Sequence, residues 1–322
     1  MEQGALHRRT IEVIGARVGL GGRCPGTADG PAAMRAAGLL EALGDARDLG
    51  DVVAREVVRT PGRDPGVAVC AEFERVSLDL RHAVEDTLAR GALPCVLGGD
   101  HSIGAATQAA VGRAARAAGR EPPGIIWIDA HTDANTMETT PSGNLHGMML
   151  AAVHGLDVPP FRRIVEGGLR DPLRTVYVGA RDIDPEEREL VARLGCRIYT
   201  PEEIRARGPE AVAREALAIA GGRDGGRAGE DDGGQGGAVS VSFDLDSLDP
   251  SVAPGVDCHV EGGLSWTEAE TLLRLIGHHP RIVAVEVVEV NPSADIGHRT
   301  AHLAVRAAAL PCARHVPPSA RH

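Results

Sequence analysis

The chain has 322 residues, of which 43% are hydrophobic and 25% are charged, so it contains enough apolar material for a folded core. Its 34 basic and 45 acidic residues give a net charge of −11, which would repel the phosphate backbone of nucleic acids and anionic membranes. Only 2% of the residues are aromatic, which leaves little for stacking on single-stranded nucleic acid. We therefore expect neither a nucleic acid nor a membrane as a partner.

The sequence also lacks the segments that are typical of export. The first 15 residues have no apolar run of the kind found in signal peptides, and no window approaches the roughly 18 apolar residues of a membrane helix. The six cysteines show no Cys-x-x-Cys spacing, which argues against a zinc knuckle and a disulfide framework. We expect a cytoplasmic protein with a single domain over residues 1–322.

Short β-rich apolar runs alternate along the chain with longer segments whose apolar residues recur every three or four positions. The short runs predict strands at Thr10–Ile14, Leu93–Leu97, Ile125–Ile128, Thr175–Val178, Val239–Phe243 and Ile282–Val288. The longer segments predict helices at Pro31–Leu43, Phe73–Ala89, Gly104–Ala118, Pro185–Leu194, Pro201–Arg207, Glu210–Ile219 and Trp266–Ile276. This alternation predicts an α/β fold, specifically a three-layer α/β/α sandwich with a mainly parallel central sheet.

Two segments fall outside this pattern. Residues 221–237 are rich in glycine and contain almost nothing that a core would bury, which predicts a flexible insertion between a helix and the next strand. A phosphate-binding loop would instead follow a strand and open a helix. The proline-containing stretch from about residue 312 predicts a C-terminal tail.

Aspartate and histidine residues follow three of the predicted strands at the point where each strand ends. The motifs are GGDHS at 98–102, DAHTD at 129–133 and DLDSLDP at 244–250. Taken alone, the first motif could be a tight turn with a capping aspartate and the second a solvated polar loop. Because the carboxyl ends of parallel strands share one edge, where ligands bind in open α/β sheets, the three motifs together favour a common site.

The spacing of these residues suggests what the site binds. Side chains two positions apart in an extended chain point to the same side, so the acids and imidazoles of each motif converge. Carboxylates and imidazoles packed this closely require a divalent cation, and an oxygen-rich set suits Mn²⁺, with two ions as the arrangement that generates a nucleophile. The predicted metal ligands are His101, Asp129, His131, Asp133, Asp244 and Asp246.

These motifs resemble the ureohydrolase family, which includes the arginases and agmatinases, and they are most similar to the arginases. The resemblance extends from Ile14 to Pro292 and includes IG at 14–15, GP at 30–31 and MRAAG at 34–38, which resemble the opening strand, loop and first helix of the family. It implies a binuclear manganese hydrolase that converts L-arginine to L-ornithine and urea. It also implies a homotrimer or homohexamer.

The resemblance further implies how the ligands divide between two ions. One manganese would be held by His101, Asp129, Asp133 and Asp244. The other would be held by His131, Asp129, Asp244 and Asp246, so that Asp129 and Asp244 bridge. In the family a hydroxide between the ions attacks the guanidinium carbon, and this agrees with the low electrophilicity of a resonance-stabilised guanidinium.

The candidate catalytic residues are Asp133, His146 and Glu289. By the resemblance, His146 in SGNLHGM at 142–148 is a proton shuttle to the leaving amine, a task that suits histidine near neutral pH. Glu289 in EVNP at 289–292 resembles the carboxylate that binds the guanidinium. The plainer alternatives are a structural histidine and a capped strand end, and Glu286 is expected to be a structural acid.

The far end of the substrate also has candidate partners. Asn135, Ser142 and Asn144 fall where arginases place polar groups that recognise the α-carboxylate. Asp184 and Glu187 fall where arginases hold the α-amino group, although both acids could instead cap a helix N-terminus.

One tripeptide departs from the family pattern. The family usually has Gly-Thr-Pro ahead of a Gly-Gly pair, whereas this chain has DCH at 257–259. The usual threonine supports the guanidinium-binding glutamate, so the substitution leaves three alternatives open. The substrate could be arginine, or another guanidine such as agmatine, guanidinobutyrate or N-hydroxyarginine, or the chain could be a catalytically silent regulatory subunit.

Overall fold

Short apolar runs of the chain form a parallel β-sheet in the computed structural model, which describes residues 8–57, 65–222 and 237–315. Within these ranges the strands are β1 (Ile11–Arg17), β2 (Arg47–Val53), β3 (Leu93–Leu97), β4 (Gly124–Ile128), β5 (Thr175–Val178), β6 (Arg197–Tyr199), β7 (Val239–Asp244) and β8 (Ile282–Val288). They pair in the order β2-β1-β3-β8-β7-β4-β5-β6, and each of these pairings is parallel. Every residue of β3, β4 and β7 is buried, as expected when both faces of a sheet are covered.

Helices cover both faces of the sheet. The described α-helices are α1 (Gly30–Ala36), α2 (Leu39–Leu43), α3 (Val67–Ala89), α4 (Gly104–Ala117), α5 (Met149–Val153), α6 (Arg162–Val165), α7 (Pro185–Leu194), α8 (Pro201–Arg207), α9 (Pro209–Ala220), α10 (Trp266–Gly277) and α11 (Arg299–Cys312). One hydrophobic cluster packs the helices α1, α2, α8, α9, α10 and α11 against the sheet. A second cluster packs the helices α3, α4, α5, α6 and α7 against it. Alternate residues of β4 belong to the two clusters, which places them on opposite faces. The predicted three-layer α/β/α sandwich is confirmed.

The structure differs from the predicted elements where the pattern of apolar residues is weak. The strands β2 and β6 lie at the two edges of the sheet and are largely exposed or half-buried, so they lack the apolar run that marks the central strands. The helix predicted over Pro31–Leu43 is divided at Gly38, whose φ of +93° a right-handed helix cannot contain. The sequence pattern also leaves α11 unassigned.

The two irregular segments are described only at their ends. Residues 223–236, which make up most of the predicted glycine-rich insertion, lie outside the described ranges, as do residues 316–322 of the predicted tail. The tail was expected from about Cys312, which is the buried last residue of α11. None of the helices in the described ranges combines the length and apolar character that crossing a membrane requires.

The central strands end at one level, and this brings the polar motifs together. Leu97 of β3 and Phe243 of β7 both pair with Val287 of β8, and Ile128 of β4 pairs with Phe243. The segments after β3, β4 and β7 therefore leave the sheet side by side. Since β8 lies between β3 and β7, Glu289 leaves the sheet among them.

Candidate active site

Side chains from these three segments converge just beyond the carboxyl edge of the sheet. The Nδ1 atom of His101 lies 2.9 Å from Asp129 Oδ2 and 2.9 Å from Asp244 Oδ2. The same nitrogen lies 3.3 Å from Asp133 Oδ2. All four residues are buried. One imidazole nitrogen therefore faces three carboxylate oxygens away from solvent.

A second group of ligand atoms adjoins the first. The Nδ1 atom of His131 lies 3.3 Å from Asp129 Oδ1 and 3.1 Å from Asp246 Oδ2. Asp129 thus faces His101 with one carboxylate oxygen and His131 with the other. Donor atoms of His101, Asp129 and Asp133 lie within 4.8 Å of one another, and so do those of Asp129, His131 and Asp246. Each group is able to hold a metal ion, and the groups share Asp129.

Tight turns, and not the extended chain assumed from the spacing of two residues, produce this convergence. Asp244 caps the single 3₁₀ turn Leu245–Ser247, and its Oδ1 accepts a hydrogen bond from the amide of Asp246 at 2.8 Å. Asp129 accepts one from the amide of His131 at 2.7 Å in the same way. Asp133 has a φ of +48°, a left-handed conformation that is uncommon outside glycine. The predicted ligands therefore meet, but the backbone reason for it is different.

A relay of buried side chains behind the first group fixes the hydrogen positions on His101. The hydroxyl of Ser242 donates to Glu286 Oε1 at 2.8 Å, and its oxygen lies 2.9 Å from His101 Nε2. Because the hydroxyl hydrogen is directed to Glu286, the oxygen accepts the Nε2 hydrogen of His101. In the neutral imidazole the Nδ1 atom then carries the lone pair, which is the tautomer that a metal ligand requires.

Trp127 supports the same histidine from one face. The indole stacks on the His101 ring with centroids 4.0 Å apart and planes 4° apart. Its Nε1 donates to Asp129 Oδ2 at 2.9 Å. Trp127 therefore orients one ligand from each of two strands.

The protonation of this cluster tests whether the residues fit a cation. Burial, and then the charge of a neighbouring aspartate, raises the pKa of Asp133 and of Asp244 well above the usual range. Burial alone would lower the pKa of His101, but Asp129 and then Asp133 outweigh it and raise the pKa to about 9. Without a cation, burial and mutual repulsion therefore favour the protonated forms of the two aspartates, and the neighbouring carboxylates favour the protonated form of His101.

Two buried atoms of the cluster also lack conventional partners. His101 Nδ1 and Asp133 Oδ2 make no hydrogen bond within the described residues, although neither is exposed. Buried polar atoms of this kind are rare because leaving one unsatisfied costs about 1–3 kcal/mol. A divalent cation would replace the extra protons and ligate both atoms. The residues present therefore fit a metal site.

Glu289 and His146 adjoin the ligand groups. Glu289 has a φ of +65°, and its Oε1 accepts a hydrogen bond from the amide of His101 at 2.8 Å. The same oxygen lies 3.0 Å from His146 Nδ1. Burial raises the pKa of Glu289 and His146 opposes it in part, whereas Glu289 raises the pKa of His146 against the effect of burial. The carboxylate thus orients the imidazole and is itself held by the backbone.

A cavity of about 410 Å³ opens above these groups. Besides Glu289, the predicted substrate residues that line it are Asn135, Ser142, Asn144, Asp184 and Glu187. Asn135 Nδ2 donates to Asp184 Oδ2 at 2.9 Å, and Glu187 Oε1 accepts from the amide of Ala134 at 2.7 Å. Asp184 and Glu187 also form a capping box at the start of α7. Both acids therefore cap the helix, as the alternative prediction stated, and both also line the cavity.

The comparisons with known proteins agree with this geometry. The sequence model of the arginase family matches residues 9–311. The arginase of Bacillus caldovelox is 37% identical over 305 residues, which covers 92% of this chain and 96% of that protein. The chain belongs to the arginase family. The solved structure of the Bacillus caldovelox arginase matches with a TM-score of 0.82 at 36% identity, covering 94% of this chain and 98% of that one. An Entamoeba histolytica arginase in complex with L-ornithine matches with a TM-score of 0.82 at 25% identity and the same coverage. The predicted resemblance is confirmed.

Some residues of this arginase-family site were not found from the sequence. Trp127 and Ser242 each lie on a strand, two positions before a predicted ligand, so the period of two could have indicated both. Glu286 was expected to be a structural acid, and it lies behind His101, 3.9 Å from Nε2. An acid inside the apolar run of β8 was the available signal for it.

The departure from the arginase-family pattern at DCH, residues 257–259, also lies at the cavity. All three residues line it. Burial, and next the charge of Asp246, raises the pKa of Cys258 above its usual range, so the group remains a neutral thiol. Within the described residues, the hydrogen bonds of the Glu289 carboxylate come from His101 and His146 and not from Cys258.

Proposed function

We propose that this chain hydrolyses L-arginine to L-ornithine and urea with two Mn²⁺ ions. One observation carries the proposal: two groups of ligand atoms share Asp129 at a cavity that also presents Glu289 and His146. The named relatives are arginases, and one of their solved structures contains L-ornithine, the amino acid product proposed here.

The family resemblance, together with the two ligand groups, suggests which residues hold each ion. One ion would be held by His101, Asp129, Asp133 and Asp244. The other would be held by Asp129, His131, Asp244 and Asp246. One imidazole and several carboxylates per ion suit Mn²⁺ better than the thiolate-rich sites of structural zinc. When bound, two such ions lower the pKa of a water and so supply a nucleophile at neutral pH.

Glu289 is proposed to bind the guanidinium of the substrate. Its Oε2 is buried and has no hydrogen-bond partner within the described residues, so it is available to a ligand. A guanidinium presents N–H donors in a planar fork that matches a carboxylate. Because Oε1 is held by the amide of His101, the carboxylate fixes the plane of the guanidinium beside the ligand groups.

Proton transfer is assigned to Asp133 and His146. Addition of water to the guanidinium carbon releases a proton, and the Asp133 carboxylate, which lies beside His101 in the first ligand group, is assigned to accept it. Cleavage of the C–N bond then requires a proton on the leaving amine. Glu289 binds Nδ1 of His146 and leaves Nε2 to deliver that proton, and the products are urea and the amine.

The outer end of the cavity is proposed to select the amino-acid end of the substrate. Asn135, Ser142 and Asn144 provide donors for the α-carboxylate. Asp184 and Glu187 provide acceptors for the α-ammonium. The capping box and the Asn135–Asp184 hydrogen bond hold these groups before substrate arrives, which reduces the entropy lost on binding.

The test measures urea release after chelator treatment and addition of Mn²⁺. We expect L-arginine to be the preferred substrate over agmatine, guanidinobutyrate and N-hydroxyarginine. His146→Asn should retain Mn²⁺ binding and lose about 100-fold or more in kcat, a typical loss for a general acid. Product from another guanidine but none from L-arginine would reject the substrate assignment.

The alternative substrate is favoured by one specific observation, the position of DCH 257–259 in the cavity wall. Replacing the three residues by Gly-Thr-Pro should change the ratio of rates among the four guanidines if the tripeptide sets selectivity. An unchanged ratio would count against that alternative. Two bound Mn²⁺ ions without hydrolysis of any guanidine would favour a silent regulatory subunit.

Three further assignments are proposals of the same kind. We propose one domain over residues 1–322, a cytoplasmic location and a homotrimer or homohexamer. Sedimentation of the purified full chain would distinguish a monomer from these assemblies.

A further inference from the structure

The segment Gly21–Cys24, whose Arg23 lines the cavity, is held at both ends by carboxylates. At one end, the amide of Gly21 donates to Asp100 Oδ2 at 2.7 Å. At the other end, the amides of Arg23 and Cys24 donate to Asp257 Oδ2 at 3.1 and 3.3 Å. Asp257 belongs to the tripeptide that departs from the arginase pattern.

The backbone of this segment passes between the acid and the proposed proton shuttle. A Cβ atom added to Gly22 would lie 2.8 Å from Asp257 Oδ2 and 3.5 Å from His146 Cε1. The amide of His146 also donates to the carbonyl of Gly21 at 3.3 Å. The segment therefore fits closely against both residues, and Asp257 holds the backbone at Arg23 and Cys24.

Arg23 brings a positive charge to a strongly acidic cavity. It is the one arginine that lines this cavity within the described part of the chain. The carboxylates that line it belong to Asp133, Asp182, Asp184, Glu187, Asp244, Asp246, Asp257 and Glu289. Arg23 is exposed, and its guanidinium makes no hydrogen bond or ion pair with the residues described.

Another arginine at this edge of the sheet shows the contrast. The guanidinium of Arg181 donates to the carbonyls of Asp246 at 2.8 Å and Val260 at 2.6 Å, so its donors serve the protein. The donors of Arg23 remain available to a ligand. An anionic group would need such a partner to enter a cavity lined by so many carboxylates.

We propose that Arg23 binds the carboxylate of the substrate and that Asp257 is a positioning residue that holds Arg23 at the cavity mouth. The inference rests on the proposed function and extends it, because it makes this chain selective for guanidines that carry a carboxylate. Asn135, Ser142 and Asn144 supply neutral donors to the same group, and Arg23 supplies the charge.

The direction in which Asp257→Ala changes the affinity for an anionic ligand separates a positioning role of Asp257 from a purely electrostatic one. As a charge alone, Asp257 repels a substrate carboxylate, so Asp257→Ala would tighten binding of an anionic ligand. As the anchor of Arg23, it favours that ligand, so Asp257→Ala would weaken binding. Asp257→Asn keeps an oxygen that can accept from the two amides and should retain most of the affinity.

The experiment compares L-ornithine with 1,4-diaminobutane, which differ by the carboxylate alone. Calorimetric titration of the Mn²⁺-loaded full chain gives a Kd for each ligand. For Arg23→Ala we expect about tenfold weaker binding of L-ornithine, the effect of one charge-assisted hydrogen bond near solvent. The Kd for 1,4-diaminobutane should change by less than about twofold because it lacks the bonded group. Arg23→Lys should retain part of the affinity.

Matched variants complete the test. Arg120→Ala removes an exposed arginine beyond the end of α4, outside the cavity, and should leave both ligands unaffected. Asp257→Ala should weaken the binding of L-ornithine, as Arg23→Ala does. The double variant should bind L-ornithine no more weakly than Arg23→Ala. If Asp257→Ala fails to fold by circular dichroism, Arg23→Ala still decides the carboxylate contact.

The outcomes are distinguishable from failure of the proposed function. Absence of urea release from every guanidine would reject the proposed function. Urea release from L-arginine together with unchanged L-ornithine affinity in Arg23→Ala would overturn this inference alone. Tighter L-ornithine binding in Asp257→Ala would overturn the positioning role.

Discussion

Ser242→Ala is expected to weaken Mn²⁺ binding by about 10- to 100-fold, because it removes the group that fixes the tautomer of His101. Ser242 Oγ bonds Glu286 at 2.8 Å and lies 2.9 Å from His101 Nε2. Each buried hydrogen bond contributes about 1–1.5 kcal/mol net, and 1.4 kcal/mol corresponds to a factor of ten. Only the part of this energy that depends on bound metal weakens Mn²⁺ binding, and loss of such a supporting partner typically costs about 10- to 100-fold.

The matched control lies on the same strand. Ser240 is also buried on β7, two residues away on the same side, and donates to Gln108 Oε1 at 2.8 Å, away from His101. Both alanine variants should lose similar unfolding free energy without metal, as measured by urea denaturation. A competition titration against a fluorescent chelator should show weaker Mn²⁺ binding in Ser242→Ala alone. Equal Mn²⁺ affinity in the two variants would refute the tautomer argument.

Three further predictions concern other buried groups. Trp127→Phe keeps a ring beside His101 but loses the donor to Asp129, so the Mn²⁺ Kd should rise about tenfold, and an unchanged Kd would contradict the role of that hydrogen bond. Arg170→Met leaves buried carbonyls without their donor and should lower the free energy of unfolding by about 3 kcal/mol or more. A melting temperature within about one degree of the parent protein would contradict this prediction. Burial lowers the pKa of His154 to about 3, so the folded state binds fewer protons than the unfolded state between pH 3 and 6.5. Stability should therefore fall as the pH decreases through that window, by at most about 1.4 kcal/mol per pH unit, and His154→Asn should reduce this slope in metal-free urea unfolding.

The sequence predicted the centre of the fold because parallel strands buried on both faces leave continuous apolar runs. Leu93–Leu97 and Thr175–Val178 are predicted with their observed bounds. The edge strands β2 and β6 were not predicted because half of their environment is solvent, and no apolar run is required there. The break at Gly38 was missed because the apolar pattern continues across it, although the chain changes direction.

The candidate site was predictable where residue type and strand end coincide. His101 and Asp129 follow strands and Asp244 ends one, and the topology brings them to one edge. The residues that orient the ligands could not be predicted in this way, because Ser242 and Trp127 resemble ordinary strand residues until their hydrogen-bond partners are known. Arg23 was not predicted either, because its place at the cavity depends on a contact with a segment more than two hundred residues later.

The left-handed backbone at Asp133 and Glu289 has a consequence for how this protein loses activity. A non-glycine residue in that region costs about 1–3 kcal/mol, and it persists only while the surrounding structure forbids relaxation. A distant change that loosens the packing around these two positions would allow both residues to relax to backbone angles of lower energy. A substitution far from the metal ligands can thus lower activity in a protein that remains folded by circular dichroism and thermal melting.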